Sequence, residues 1–280
     1  MTNHEKFLQE AQEGLNEIVK PFQVEINRRQ RMADFMKNCM RIAGRNDFLQ
    51  LDEQLKNKMA GNIEEENGLE ETSDIFDRLR TYANEQVERY RIEFIEDLTN
   101  RAQEADVEIT VDFPRFTSLK GIAGEIDFSS RTTTINNKLL KSIDPRRIIT
   151  QLLRFKNQLY DRPYDPRKFI DGLYGVYADL IKKENLNPGT RVPAQHLYLA
   201  YVLSQQSKSF FQDMDKGKFR GYSVDQFGVD LWRYFQAGIE GTSNGHVLRM
   251  RPGRISALWL IDTDGEKRRI TGISFEEKED

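Results

Sequence analysis

One stretch of the sequence carries residue types that could cleave nucleic acid. In GEIDFSSRTTTINNK, residues 124–138, Asp127 lies in one β-prone run and Lys138 ends the next. Mg²⁺-dependent nucleases hold the ion with carboxylates and set a lysine beside the attacking water, because Mg²⁺ is a hard cation that prefers anionic oxygen. The second acid is missing, since Asn136 occupies its position and a neutral amide is a far weaker ligand. A divergent nuclease centred on Asp127 and Lys138 is therefore the third of our three hypotheses.

The alternative for this stretch is a three-stranded β element that does no chemistry. Alternate residues of a strand share a face, so Ile126, Phe128 and Ile135 would be buried on one side. The residues expected to face water are Glu125, Asp127, Thr132 and Thr134. This arrangement needs neither a metal nor a cofactor, and we favour it over the nuclease.

Other motifs for catalysis are absent from the sequence. The histidines at positions 4, 196 and 246 are widely separated and lack metal-ligand spacing, and we expect His196 on a helix surface. No phosphate-cradling glycine loop, dinucleotide-binding fingerprint or nucleophile elbow occurs. We therefore expect a protein that is not an enzyme and binds no cofactor or metal.

The overall composition gives no general attraction for polyanions. Among 280 residues, 42 lysines and arginines face 45 acids, for a net charge of -3, so nucleic-acid binding would need a local basic patch. The only cysteine is Cys39, which suits a reducing cytosol. The amino terminus has no apolar signal core, and no apolar run approaches the ~20 residues that cross a bilayer. These features predict a cytoplasmic protein without membrane association.

The first hundred residues have helical periodicity and almost no strand signals. Pro21 is expected to end or kink a first helix, and the acidic segment 61–74 is expected to be a flexible loop. Ser73 is a candidate N-cap for a helix of roughly thirty residues, well above the ~11–12 average. Its apolar residues from Phe76 to Leu98 line one side of that helix. This side would pack in an antiparallel bundle or, as in a coiled coil, against a partner.

The sequence changes character near residue 105. The segment 107–113 alternates as a strand does, and Asp–Pro pairs at 144–145 and 165–166 predict helix starts. The fold class is therefore predicted as α+β and mainly helical, with a helical amino-terminal bundle or arm, a small β element and a carboxy-terminal winged-helix-like domain. The predicted domains are residues 1–104, 105–162 and 163–280.

The winged-helix prediction follows from the order of elements after residue 165. A helix is followed by a short extended piece, a second helix, a polar link at 204–221 and a helix over SVDQFGVDLWRYFQAG. Two strand-like runs close the domain, the second of which folds back at Asp264–Gly265. In this interpretation the last helix takes the position of a DNA-reading helix. It would expose Gln226 and Arg233 together with Asp225 and Asp230, whose charges would repel phosphate.

Basic residues gather around that helix and could grip a phosphate backbone without reading bases. An alternative of similar weight is that they are ordinary solvated surface. The candidate DNA-binding residues are Lys216, Lys218, Arg220, Arg233, Arg249, Arg251 and Arg254, and three further cations follow at 267–269. Trp232 and Trp259 are expected to be core anchors.

Three segments, RKFIDGLYGVYADL, GTRVPAQHLY and YSVDQFGVDLW, resemble a family of uncharacterised prokaryotic proteins of winged-helix type. These accessory proteins are encoded beside ATPases that resemble structural-maintenance-of-chromosomes (SMC) proteins, often in loci that look like mobile-element or antiviral defence loci. The resemblance covers roughly the last 120 residues and transfers no catalytic residue. It implies an accessory subunit whose winged helix docks on the ATPase or on double-stranded DNA, with the helical arm as a second contact surface.

Three hypotheses follow, in order. The first is a non-enzymatic accessory subunit that binds a protein partner, DNA or both, in defence or chromosome handling. The second is a stand-alone winged-helix DNA-binding regulator, and the third is the nuclease described above. A homo-oligomer is compatible with each of them.

Overall fold

The computed structural model describes residues 3–277 and shows a mainly helical α+β protein, with 57% helix and 15% strand. The predicted fold class is confirmed at this level. Two compact units are present: Met1–Glu96 with Phe128–Ser130, and Asp97–Asp127 with Arg131–Asp280. This division does not separate 105–162 from 163–280, so the three-domain scheme stays a prediction. Within the described range, none of the helices combines the length and apolar character that crossing a bilayer requires.

The first unit is built from four helices. They are α1 (Asn3–Gly44), α2 (Phe48–Leu55), α3 (Lys58–Glu64) and α4 (Glu71–Glu104), of which the end of α4 belongs to the second unit. The core forms where the last third of α1 meets the other three helices, because its apolar residues recur at spacings of three and four. Its buried side chains are Met32, Phe35, Cys39, Ile42, Leu51, Leu55, Ala60, Ile63, Phe76 and Ala83.

Three local predictions for this unit are wrong, at least in part. The first helix does not end at Pro21, because α1 continues through it; the segment is exposed, so water can hydrate the carbonyl that loses its N–H partner. The predicted loop 61–74 is helical at both ends and non-helical only over residues 65–70. Helix α3 extends into the segment because Asn57 caps it and Ile63 is fully buried. Ser73 lies inside α4, which begins at Glu71. The predicted long helix itself is confirmed, with 34 residues.

The small β element has five antiparallel strands in sequence order, where three were predicted. They are β1 (Thr110–Asp112), β2 (Arg115–Thr117), β3 (Ala123–Asp127), β4 (Thr132–Ile135) and β5 (Lys138–Leu140). The unforeseen β4–β5 hairpin turns at Asn136 and Asn137, whose φ angles are 45° and 64°, a conformation that asparagine tolerates better than most residues. One face is buried and includes Phe116, Ile126, Thr133 and Ile135.

The remainder of the second unit is helical before it ends in a sheet. Its helices are α5 (Pro145–Leu159), α6 (Pro166–Lys183), α7 (Ala194–Ser204), α8 (Lys208–Asp213), a 3₁₀ turn (Lys216–Lys218) and α9 (Val224–Gln236). The predicted caps are confirmed, since Asp144, Asp165 and Ser223 each accept a hydrogen bond from a first-turn backbone N–H. The predicted polar link contains the unexpected helix α8, which begins at its N-cap Ser207 and buries Phe210.

The carboxy-terminal sheet is organised around one long strand. The strands are β6 (Val192–Pro193), β7 (His246–Pro252), β8 (Leu258–Ile261) and β9 (Lys267–Glu277). Strand β9 lies between β6 and β7, and its first four residues pair with β8. The predicted turn at Asp264–Gly265 is confirmed, with Gly265 at a φ of 78°. The inner face of this sheet packs against α6, α7 and α9 through one apolar core, which includes Phe227, Leu248, Ile270, Ile273 and Phe275.

Candidate functional site

The strand register separates the two residues of the nuclease hypothesis. Asp127 pairs with Thr132, whereas Lys138 pairs with Ile135. Directly paired residues share a face and positions three apart along a strand do not, so Asp127 and Lys138 lie on opposite faces of the sheet. They are also roughly 10 Å apart along the strand direction and roughly 10 Å apart across it. Within residues 3–277, no group of three histidine, cysteine or acidic side chains could hold a metal ion.

Asn136, considered above as a substitute for the missing acid, links the β element to α9. Its side-chain oxygen accepts a hydrogen bond from the backbone N–H of Ala123 at 3.0 Å. Its amide nitrogen donates to the backbone carbonyl of Gly121 at 2.6 Å and to the Asp225 carboxylate at 3.2 Å. The residue therefore fixes the conformation of the turn and the position of the start of α9.

The helix α9 is covered along almost its whole length. Every residue from Val224 to Phe235 is buried or half-buried, and only Gln236 at its end is exposed. The covering elements include α5, α6 and β8. The expectation that Asp230 is exposed on this helix is wrong, because only 2% of the residue is accessible. A helix enclosed in this way presents no open face to a DNA groove.

Asp230 is the centre of a buried polar network. Its Oδ1 pairs with a guanidinium nitrogen of Arg162, and its Oδ2 accepts a hydrogen bond from the Tyr222 hydroxyl at 2.5 Å. The Tyr164 hydroxyl donates to the backbone carbonyl of Asp230 at 2.6 Å. Buried carboxylates are tolerated only with such partners. The network joins α9 to the segments that precede α6 and α9.

Burial controls the titration of this network. It raises the pKa of the Asp230 carboxyl above its ordinary value, although the hydrogen bonds from Arg162 and Tyr222 oppose that rise. Burial also raises the pKa of Tyr222 and Tyr164, and it brings the pKa of Tyr201 to about 12. The tyrosines are therefore neutral hydrogen-bond donors at physiological pH.

An open cavity of about 600 Å³ lies beside this network. Its polar lining includes Arg162, Lys168, Gln205, Arg220, Tyr222 and Gln226. The buried Nε of Arg162 has no hydrogen-bond partner within the described part of the chain. Since Asp230 already accepts hydrogen bonds on both oxygens, we assign it a structural role in holding α9.

Arg233, predicted to bind DNA, instead contacts residues of its own domain. Its guanidinium carbon lies 4.3 Å from the centre of the Tyr164 ring, and one of its nitrogens donates to the Tyr160 carbonyl at 3.4 Å. The residue is half-buried. An arginine that is already held in a cation–π contact by its neighbours is poorly placed to bind an external phosphate.

The outer face of the carboxy-terminal sheet is cationic, and we call it the arginine face. Arg249 and Arg251 lie on β7 opposite Ser274 and Gly272, and the alternate residues Leu248 and Met250 pack into the core. The aliphatic part of the Arg191 side chain passes over Gly272. A Cβ atom added at Gly272 would lie only 2.4 Å from the Cδ of Arg191. This glycine therefore leaves space for a third arginine on the same face.

Arg269 and Trp259 complete the arginine face. A register shift at Arg251/Pro252 lets positions 269 and 272 of β9 share the outer side, while Ile270 and Ile273 are both buried. Trp259 pairs with Arg269 across β8 and β9, and the Arg269 guanidinium carbon lies 4.9 Å from the centre of its ring. The expectation that Trp259 anchors the core is wrong, since 49% of the residue is exposed.

The arginine face carries few neutralising acids. Arg249 lies 3.3 Å from Glu276, and both side chains are more than half exposed. For Arg191, Arg251 and Arg269, no acidic side chain of residues 3–277 lies within ion-pair distance. These three cations are therefore available to an external anion.

The other candidate residues are not all brought together. Arg254 is exposed in the loop between β7 and β8. Arg220 lines the cavity, Lys216 lies in the 3₁₀ turn, and Lys218 pairs with Asp213. Of the candidates, Arg249 and Arg251 share the arginine face.

Two arginines of the arginine face, Arg191 and Arg269, were missed as site residues. The alternation in HVLRMRP already places Arg249 and Arg251 on one side of a strand. Arg269 could not be assigned to that side, because the bulge that sets its orientation arises from the pairing with β7. Arg191 depends on a glycine in another strand, which no local pattern indicates.

No family model, curated protein or solved structure matches this chain.

Proposed function

We propose that residues 166–277 form a winged helix that binds the backbone of double-stranded DNA through the arginine face. The element order α6, β6, α7, α8, α9, β7, β8, β9 supports this assignment, as does the central position of β9 between β6 and β7. The observation that carries the binding mode is the contrast between the two surfaces. The helix α9 is enclosed, whereas three arginines on the outer sheet face have no acidic partner among the described residues.

This binding mode is independent of base sequence. Arginines on a sheet surface neutralise phosphates and release counterions, whereas base reading needs an element inside a groove. The exposed Trp259 holds Arg269 by a cation–π contact, so the guanidinium is partly ordered before it meets DNA. A stand-alone regulator that reads bases through α9 is disfavoured, because that helix has no open face.

We further propose that the protein is a non-catalytic, cytoplasmic accessory subunit. The separation of Asp127 from Lys138 removes the geometric basis of the nuclease alternative. The resemblance described above supplies the expected protein partner, an SMC-like ATPase, and with it a role in defence or chromosome handling.

The test is fluorescence anisotropy of a labelled DNA duplex titrated with the full chain over a range of salt concentrations. The double variant R251E/R269E should bind more weakly, by about eightfold or more per lost phosphate contact near 0.1 M salt, and the slope of log affinity against log salt should fall by about 2. The matched control is R146E/R147E, which changes the net charge equally at exposed positions of α5. Equal losses in both variants, or no binding by the wild type at low salt, would refute the proposal.

A further inference from the structure

The first part of α1 is an exposed helical arm. Every residue from Lys6 to Arg31 is exposed except Glu25, which is half-buried. This length of helix extends about 39 Å. Contacts with the core of its own unit begin at Met32. Isolated helices are only marginally stable in water, so a helix without tertiary cover gains most from a partner.

One side of the arm is apolar. At 100° per residue, all but one of its large apolar side chains fall within less than half of the helix circumference. The exposed fractions are Phe7 63%, Leu8 55%, Leu15 63%, Ile18 62%, Val19 55%, Phe22 67% and Ile26 60%. We call this set the apolar stripe. Val24, at 59% exposed, points to the opposite side of the helix.

The apolar stripe has the area that a specific interface needs. Burying each of its seven side chains would remove roughly 100 Å² of apolar surface from water, or roughly 700 Å² per chain, against the ~800 Å² that each partner contributes to a standard interface. A surface patch of this size is unusual for a chain that stays alone.

The charges of the arm change sign at the centre of the stripe. From Lys6 to Glu17 the arm carries three glutamates and one lysine, and from Lys20 to Arg31 it carries four cations and one glutamate. Arg28 pairs with Glu25 and Glu66 and Arg29 pairs with Glu25, which leaves Lys20 and Arg31 as the cations of this half without an acidic partner among residues 3–277. A parallel pair would place like charges side by side. An antiparallel pair places the acidic half of one arm against the basic half of the other.

We propose that the arms of two copies of this chain pair as an antiparallel coiled coil, with a two-fold axis near Ile18. The pairing buries the apolar stripe against itself and matches the two charged halves. Such an interface is self-complementary, as a two-fold dimer requires. It is independent of DNA binding by the arginine face.

The oligomeric state of the full chain tests this proposal. Sedimentation equilibrium at micromolar concentration should give twice the mass of the chain. The variant L15E/F22E should weaken the dimer by about a hundredfold or more, because it buries four charges in the interface. The control V24E places one glutamate on the opposite side of the arm and should leave the dimer intact.

The antiparallel orientation of the two arms can be tested by disulfide cross-linking. The only native cysteine, Cys39, is 2% exposed and serves as an internal background. The Ile18→Cys chain should form a disulfide-linked dimer on oxidation, because the two positions meet at the axis, and the Leu8→Cys chain should not. A wild-type monomer, a dimer insensitive to L15E/F22E, disruption by V24E, or efficient linkage through position 8 would each overturn the proposal.

Discussion

Removing the Asp230 carboxylate tests directly how α9 is held in the carboxy-terminal domain. Asp230→Ala takes away the partner of Arg162 and the acceptor of the Tyr222 hydroxyl. Both groups line the open cavity, but the Nε of Arg162 is buried without a partner among the described residues and Tyr222 is half-buried, so water would hydrate them only in part. The variant should therefore lower the free energy of unfolding, because it leaves polar groups buried without a hydrogen-bond partner.

The magnitude follows from the burial of the two partners. Breaking a buried ion pair by removing one member costs about 3–5 kcal/mol. The Arg162 side chain is 23% exposed, so part of its charge can be hydrated and the lower end of that range, about 3 kcal/mol, is the expected loss. In a domain of this size each kcal/mol lowers the melting temperature by about 2–4 °C, which gives a decrease of about 6–12 °C.

The assay is urea and thermal unfolding at neutral pH, followed by circular dichroism. The matched control is Asp213→Ala, which removes the partner of Lys218 at a site where the carboxylate is 56% exposed and should cost less than about 1 kcal/mol. Combining Asp230→Leu with Arg162→Met should recover much of the loss, because no buried charge is left unpaired. Similar effects for Asp230→Ala and Asp213→Ala would refute the assignment of Asp230 as a buried structural anchor.

Two further predictions concern the same unit. Asn136→Ala should destabilise it by about 2–4 kcal/mol in urea unfolding, because two backbone groups lose their partners and alanine tolerates the positive φ poorly; Asn137→Ala, which changes only the φ preference, should cost about 1 kcal/mol. Burial raises the pKa of Tyr160 and Tyr201 to about 12 from 10, so the stability they contribute is complete below pH 10 and is lost as the pH rises toward 12. Unfolding free energies across that range should fall by about 1.4 kcal/mol per pH unit for each tyrosine, and Tyr201→Phe should make the fall shallower; an unchanged slope would contradict this.

Sequence patterns predicted the structure correctly where the interacting groups are close neighbours in the sequence. The caps at Asp144, Asp165 and Ser223 satisfy backbone groups two or three residues away, so the positions of three helices were readable from sequence. Apart from α8 and the 3₁₀ turn, the order of elements from α6 to β9 was readable for the same reason, since periodicity and turn residues are local signals.

The predictions failed where contacts with residues distant in the sequence determine the local structure or the burial of a side chain. Segment 61–74 looks like a loop by composition, yet the burial of Ile63 stabilises α3. The exposure of Asp230 was predicted from its place on an amphipathic helix, without knowledge that Arg162 would cover it. Trp259 was assigned to the core because tryptophan is usually buried, whereas its strand borders only the first part of β9.

The burial of α9 and the openness of the arginine face have a common consequence for DNA binding. The acids of α9 argued against phosphate contact as long as the helix was taken to be exposed. In the structure Asp230 is neutralised by Arg162, and Asp225 is held by Asn136 at 3.2 Å and by Lys267 at 3.5 Å. Both carboxylates therefore stabilise the domain and do not oppose an approaching polyanion. Three arginines that have no acidic partner among residues 3–277 lie on the outer sheet face, so under the proposed function the DNA backbone would approach the domain from that side.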